Sequence, residues 1–138
     1  MPAERIYLDA NILIYLIEGH SEYTPIVGKM LIDLEKRGGV PIISDLCRCE
    51  CLIGPAKQGN QALVRRYEDA FNDATEFEFI DFMPSTLEQV PDLAAQCGLK
   101  ILDAMHLSLA LQAGCDGFAT NDRGFESAET LIDIISLT

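Results

Sequence analysis

The sequence predicts a three-layer α/β/α domain with a central parallel sheet of about five strands. Three observations predict it. Short β-rich runs alternate with longer helical patterns along the chain, the mark of strands joined by helical crossovers. No internal repeat, low-complexity tract or linker interrupts the alternation, so one domain over 1–138 is expected. Finally, 138 residues, 49% of them hydrophobic, are enough to bury a real core.

The elements follow in order. "RIYLD" (5–9) reads as a buried strand closed by an acid, and "ANILIYLIEG" as a short helix ending at Gly19. Thr24 and Pro25 open a helix over 24–39, with apolar residues near helical spacing and Gly38-Gly39 at its end. "VPIIS" (40–44) is the second strand, and Ser44 or Asp45 caps a helix over 45–54. After the break at Gly54-Pro55, a charged amphipathic helix is expected over 57–74. "EFEFIDF" (76–82) is the third strand. Ser85 and Glu88 have the spacing of a capping box for a helix over 85–98, in which Pro91 marks either a kink or a second helix start. "LKILDAMHLSLALQAG" (99–114) is a mostly buried helix; "DGFAT" (116–120) and "LIDIISL" (131–137) are the last strands.

Composition narrows the function classes. No run of about 18 apolar residues occurs, so no membrane span is expected. "MPAERIYLD" lacks the apolar stretch of a signal peptide, and a cytoplasmic location is the expectation. Cys47, Cys49, Cys51, Cys97 and Cys115 are then reduced thiols. "CRCEC" is spaced too tightly for a zinc knuckle; on a helix, Cys47 and Cys51 share a face and Cys49 points elsewhere. The net charge of −12 argues against a general polyanion binder. An enzyme that meets phosphate through bound cations, or a chain with a basic partner, is compatible with it.

Four acids carry the chemistry. Sites in parallel α/β sheets gather beyond the carboxyl ends of the strands. Asp9 ends strand one, and Asp122 follows strand four by two residues. Glu50 lies on the helix after strand two. Asp103 sits near the start of the helix before strand four, which runs antiparallel to the strands and so begins at the same edge. Each has a bland local role available: Asp9 as a helix cap, Asp122 as a turn residue in "NDRG", Glu50 as an exposed helix glutamate. Asp103 interrupts the apolar "KILDAMHLSLAL", where no such role offers itself. Four carboxylates together would repel and raise each other's pKa values. A hard divalent cation such as Mg²⁺ or Mn²⁺ removes the conflict.

These stretches resemble the PIN domain, specifically the VapC-type toxins of bacterial toxin–antitoxin pairs. "YLDANILIYLIEG" is similar to the family's opening motif, "SDLCRCECL" to the second, and "LKILDAMHLSLALQAGCDGFATNDRGF" to the third and fourth. The resemblance implies a sheet of order 3-2-1-4-5 and a metal-dependent ribonuclease. It implies that Asp9, Glu50, Asp103 and Asp122 are the catalytic acids and hold Mg²⁺ or Mn²⁺. Asn11, Ser44 and Thr120 would orient the acids or the substrate. It further implies an antitoxin partner, whose basic side chains would suit an acidic chain, and a homodimer. RNA phosphates need cations outside the metal site, and Arg48, Lys57, Arg65, Arg66 and Arg123 are available. Arg65 and Arg66 read equally as the exposed side of a helix. His106, three residues after Asp103, shares its helix side and is either a neighbour of the metal site or a packed core residue.

Other readings of the acids remain open. A phosphatase of the haloacid dehalogenase type also places an acid after strand one, but position 11 is Asn rather than a second Asp. A receiver-like domain would use Asp81 as its acceptor and needs a Lys after strand five, which the chain lacks. A non-catalytic module would hold the metal only to neutralise the acids.

Overall fold

Five parallel strands lie in the order β3-β2-β1-β4-β5 in the computed structural model, which describes residues 2–73 and 76–138. The strands are β1 (Arg5–Leu8), β2 (Val40–Ser44), β3 (Glu78–Ile80), β4 (Gly117–Thr120) and β5 (Asp133–Ser136). Among the described residues seven helices connect them: α1 (Ala10–Glu18), α2 (Tyr23–Lys36), α3 (Asp45–Gln58), α4 (Gln61–Asn72), α5 (Pro84–Glu88), α6 (Val90–Cys97) and α7 (Ile101–Gln112). A 3₁₀ helix over Arg123–Ala128 joins β4 to β5. The order matches the expected one.

The centre of the sheet follows from its side chains. β1 pairs Tyr7 with Ile42 of β2 on one side and with Phe118 of β4 on the other. Ile6, Tyr7, Leu8, Ile42, Ile43, Phe118 and Ala119 are all buried, as parallel strands covered on both faces require. The chain winds outward from β1 in both directions, through β2 and β3 and later through β4 and β5. A topological switch point therefore lies between β1 and β4. Asp9, Ser44 and Thr120 close β1, β2 and β4 at this one edge.

Three local expectations are corrected. α3 does not stop at the Gly54-Pro55 break but runs to Gln58, and α4 begins only at Gln61. Pro55 removes one backbone donor, yet its ring is buried against the core and helical geometry continues past it. The true stop is Gly59, left-handed at φ 64°, after which the Asn60 side chain caps α4 by accepting from Leu63 N–H at 3.1 Å. The expected end of that helix at Ala74 lies outside the described residues. β3 is shorter than expected because its pairing with β2 covers only Ile42 to Ser44. Pro91 opens a separate helix, α6, the second of the two expected readings, but the cap at the start of α5 comes from Thr86 rather than from Ser85 and Glu88. The Met83 N–H donates to Thr86 Oγ1 at 3.0 Å, and the Thr86 hydroxyl also reaches Gln112 of α7.

α1 and α4 are joined by polar groups: the Tyr67 hydroxyl donates to Glu18, and Arg66 donates to the Ile17 carbonyl. Where α2 turns into β2, Gly39 is packed tightly. A Cβ there would lie 2.2 Å from Leu34 Cδ1 and 3.1 Å from the Glu4 carbonyl oxygen. Leu34 is buried, so it has little room to yield. Gly39→Ala is expected to cost about 1–3 kcal/mol by overpacking, measured by urea unfolding.

Candidate metal centre

Asp9 is only 7% exposed, so its carboxylate must be satisfied by protein groups. It is. Oδ1 accepts from the Ala10 N–H at 2.8 Å and so caps α1. Oδ2 accepts from the Thr120 hydroxyl at 2.8 Å and from Asn11 Nδ2 at 3.2 Å. Asn11 Oδ1 in turn accepts from the Asn121 N–H at 3.2 Å, and Thr120 Oγ1 from the Asp122 N–H at 3.0 Å. The local capping role and the placement in a polar centre thus coexist in one residue. Burial raises the pKa of Asp9, and the Thr120 and Ala10 hydrogen bonds and the charge of His106 oppose the rise.

The other acids come from three further elements. Glu50, in the second turn of α3, is hydrogen bonded to Nε2 of His106 on α7. That nitrogen is also 3.9 Å from Asp9 Oδ1. Asp9, Glu50 and His106 offer donor atoms that all lie within 4.8 Å of one another. Asp103, in the first turn of α7, stands outside this tight trio but is coupled to it. Its pKa is raised by partial burial and then by the charges of Asp9, Asp122 and Glu50. Asp122 is exposed, and its Oδ1 accepts from the Gly124 N–H at 2.8 Å, capping the 3₁₀ helix. Asp9 and Glu50 therefore share the carboxyl edge beside the switch point with His106, and Asp103 is linked to them, and to Asp122, through its charge alone.

The remaining site candidates fall into distinct places. Asn11 and Thr120 touch Asp9 directly. Ser44 is fully buried beneath the centre and meets Tyr7 and Cys47, so it reaches the acids only through other side chains. Arg123 adjoins Asp122, and Arg48 lies two residues before Glu50, 3.9 Å from Glu68. Lys57 is in the last turn of α3, about 10 Å along the helix from Glu50 at 1.5 Å per residue. Arg65 is exposed on α4, and Arg66 is committed to α1. Cys47 and Cys51 are buried and Cys49 is exposed, as the helical reading expects, and all five thiols are free.

His106 was separable from an ordinary core histidine only by its three-residue offset from Asp103. It is 1% exposed, and Tyr7 Oη lies 2.7 Å from its Nδ1. Sequence reasoning passed over Tyr7, although its spacing of two from Asp9 in extended backbone puts both on one face. Burial disfavours the imidazolium of His106. Its hydrogen bonds with Cys47 and Glu50 and the charge of Asp9 more than reverse this, raising its pKa to about 10. A folded-state pKa above the unfolded value contributes stability that is complete below 6.5 and lost as pH rises through about 10. With divalent ions removed by EDTA, the melting temperature is therefore expected to fall across that window. Glutamine at position 106 should flatten the fall.

The donor set suits a hard divalent cation. The buried Asp9 carboxylate lies close to Glu50, with the charges of Asp103 and Asp122 nearby, and carboxylate oxygens of this kind favour Mg²⁺ or Mn²⁺.

Comparison with known proteins bears on the family and the fold. A family model described as the PIN domain matches residues 6–131. Among solved structures, VapBC2 of Rickettsia felis bound to a promoter DNA fragment is 24% identical, with 96% of this chain and 98% of that one covered and a TM-score of 0.74. A toxin–antitoxin complex from Klebsiella pneumoniae is 20% identical over 96% and 98% of the two chains, with a TM-score of 0.71. VapC20 of Mycobacterium tuberculosis, described as a toxin that cleaves the sarcin-ricin loop, is 15% identical over 89% and 94%, with a TM-score of 0.69. No curated protein matches the sequence.

Proposed function

The chain belongs to the PIN domain family, and we propose that it is a divalent-metal-dependent endoribonuclease serving as the toxin of a type II toxin–antitoxin pair. One observation carries the reading. Asp9 and Glu50, from distant segments, lie together at the switch point of the sheet, with Asp9 held by Thr120, Asn11 and the Ala10 amide and with Asp103 raised in pKa by burial and by the charges of Asp9, Asp122 and Glu50.

Asp9, Glu50, Asp103 and Asp122 would hold Mg²⁺ or Mn²⁺. The metal would activate water for attack on phosphorus and neutralise charge at the leaving 3′ oxygen. The chain's own contribution is positional. Asp9 is the fixed centre, because its strand is central and both its oxygens are engaged. Asn11 and Thr120 orient it, and Asp103 and Asp122 line the open side, where a backbone phosphate would approach. Arg123, beside Asp122, and Arg48, two residues before Glu50, would meet flanking phosphates; Lys57, Arg65 and Arg66 would contribute less. Hydrolysis by this route leaves a 5′-phosphate and a 3′-hydroxyl, with no covalent intermediate on the chain.

The net charge of −12 favours a basic partner segment over the edge, the role an antitoxin would fill. A homodimer is part of the same reading. Among the described residues no helix is long and apolar enough to cross a membrane, which fits the cytoplasmic location proposed for such a toxin. The receiver reading loses its support: that fold has the order 2-1-3-4-5, and Asp81 lies exposed beyond the edge strand β3.

The test is incubation of the purified chain with single-stranded and structured RNA in Mg²⁺, in Mn²⁺ and in EDTA. Internal cleavage with either ion, 5′-phosphate ends and none in EDTA are expected. Release of phosphate from small monoesters with RNA left intact would replace this reading with a phosphatase.

A further inference from the structure

We infer that His106 is a positioning residue that holds the Glu50 carboxylate toward the metal, and that it is itself oriented by a buried chain running from Ser44 and Cys47 through Tyr7. The inference rests on the proposed metal centre and goes beyond it.

The chain is sealed from solvent. Ser44, Cys47 and Tyr7 are fully buried and His106 is nearly so. Tyr7 Oη lies 2.8 Å from Ser44 Oγ, 3.3 Å from Cys47 Sγ and 2.7 Å from His106 Nδ1. Cys47 Sγ donates to the Leu8 carbonyl at 3.3 Å. The hydroxyl protons can be placed in two consistent ways. With a neutral imidazole, Ser44 donates to Tyr7 and Tyr7 donates to Nδ1. With a charged ring, Nδ1 donates to Tyr7, Tyr7 to Ser44, and Ser44 to Cys47 Sγ at 3.6 Å. Both leave a proton on Nε2, directed at Glu50 Oε1. The conclusion is therefore indifferent to the protonation state of the ring.

Glu50 needs such an anchor. Its side chain has three rotatable bonds and is partly exposed, and among the described residues its hydrogen-bond partner is His106. Ordering it beforehand spares that entropy when an ion binds. Outer groups that fix a ligand's orientation typically change metal affinity 10–100-fold when lost. The rival arrangement makes Nε2 itself a ligand. It needs the proton moved to Nδ1 and leaves Glu50 without its donor.

Calorimetric titration of Mn²⁺ and Mg²⁺ into the wild type, Tyr7→Phe, Glu50→Gln and the double variant is the test. Tyr7→Phe should weaken Mn²⁺ binding about tenfold in the wild type and have no further effect in Glu50→Gln, because the chain acts through that carboxylate. An equal loss in both backgrounds, or no loss in either, overturns the inference. His106→Gln, which keeps an N–H donor, should retain more affinity than His106→Ala; equal loss contradicts it. Long-range ¹H–¹⁵N spectra of the Mg²⁺-loaded wild type read the same point without a variant. Nε2 stays protonated if His106 positions Glu50 and loses its proton if it is a ligand, which overturns the inference. A wild type that binds neither ion rejects the metal centre itself, and this outcome is distinct from all the others.

Discussion

Asp9→Asn should abolish metal-dependent RNA cleavage while leaving the fold intact. A bound metal contributes several kcal/mol to such a reaction, and each 1.36 kcal/mol is a factor of ten, so the loss should be at least about a thousandfold. Asn has nearly the same shape and keeps an oxygen for the Ala10 amide or the Thr120 hydroxyl. Relief of the burial penalty on the charged form of Asp9 offsets the hydrogen bond lost on the amide side, so the variant's melting temperature in EDTA should stay close to the wild type's. Mg²⁺ should separate the two. It stabilises the wild type by mass action, about 2.7 kcal/mol at a hundred times the dissociation constant, and should leave the variant unmoved. Retained cleavage in Asp9→Asn would remove the centre from the mechanism.

Phe118→Ala should be the most damaging core substitution. Phe118 is fully buried on β4, the interior strand beside β1, stacked on Tyr7 at 5.2 Å and against Phe125 at 4.5 Å. Truncating such a ring costs about 3–5 kcal/mol, a large share of the 5–15 kcal/mol that holds a typical domain together. The cavity would also free one face of Tyr7, whose hydroxyl meets His106. Chemical unfolding should show the midpoint drop. Leucine at 118 should recover part of the stability, and a loss under about 1 kcal/mol would contradict this packing.

What was legible in the sequence was what local pattern encodes. β2 has the bounds that "VPIIS" predicts, α1 ends before Gly19, and Asp103 stood out because an acid broke an apolar helix pattern. The placement of the acids followed from topology alone, since helices between parallel strands must start at the carboxyl edge. Boundaries set by tertiary contact were not legible. Pro55 reads locally as a break, but its helix runs on past it with the ring buried, and Thr86 caps the start of α5 while also bonded to α7. The same holds for Tyr7 and His106. They lie 99 positions apart, and nothing in either local pattern announces that the two would share a hydrogen bond.

The most direct measurement is a crystal structure of the chain grown in Mn²⁺, with anomalous scattering used to locate the ion. A peak at bonding distance from Asp9, with Glu50, Asp103 and Asp122 around it, is the predicted result. Ordered density for all four side chains with no manganese among them would contradict it.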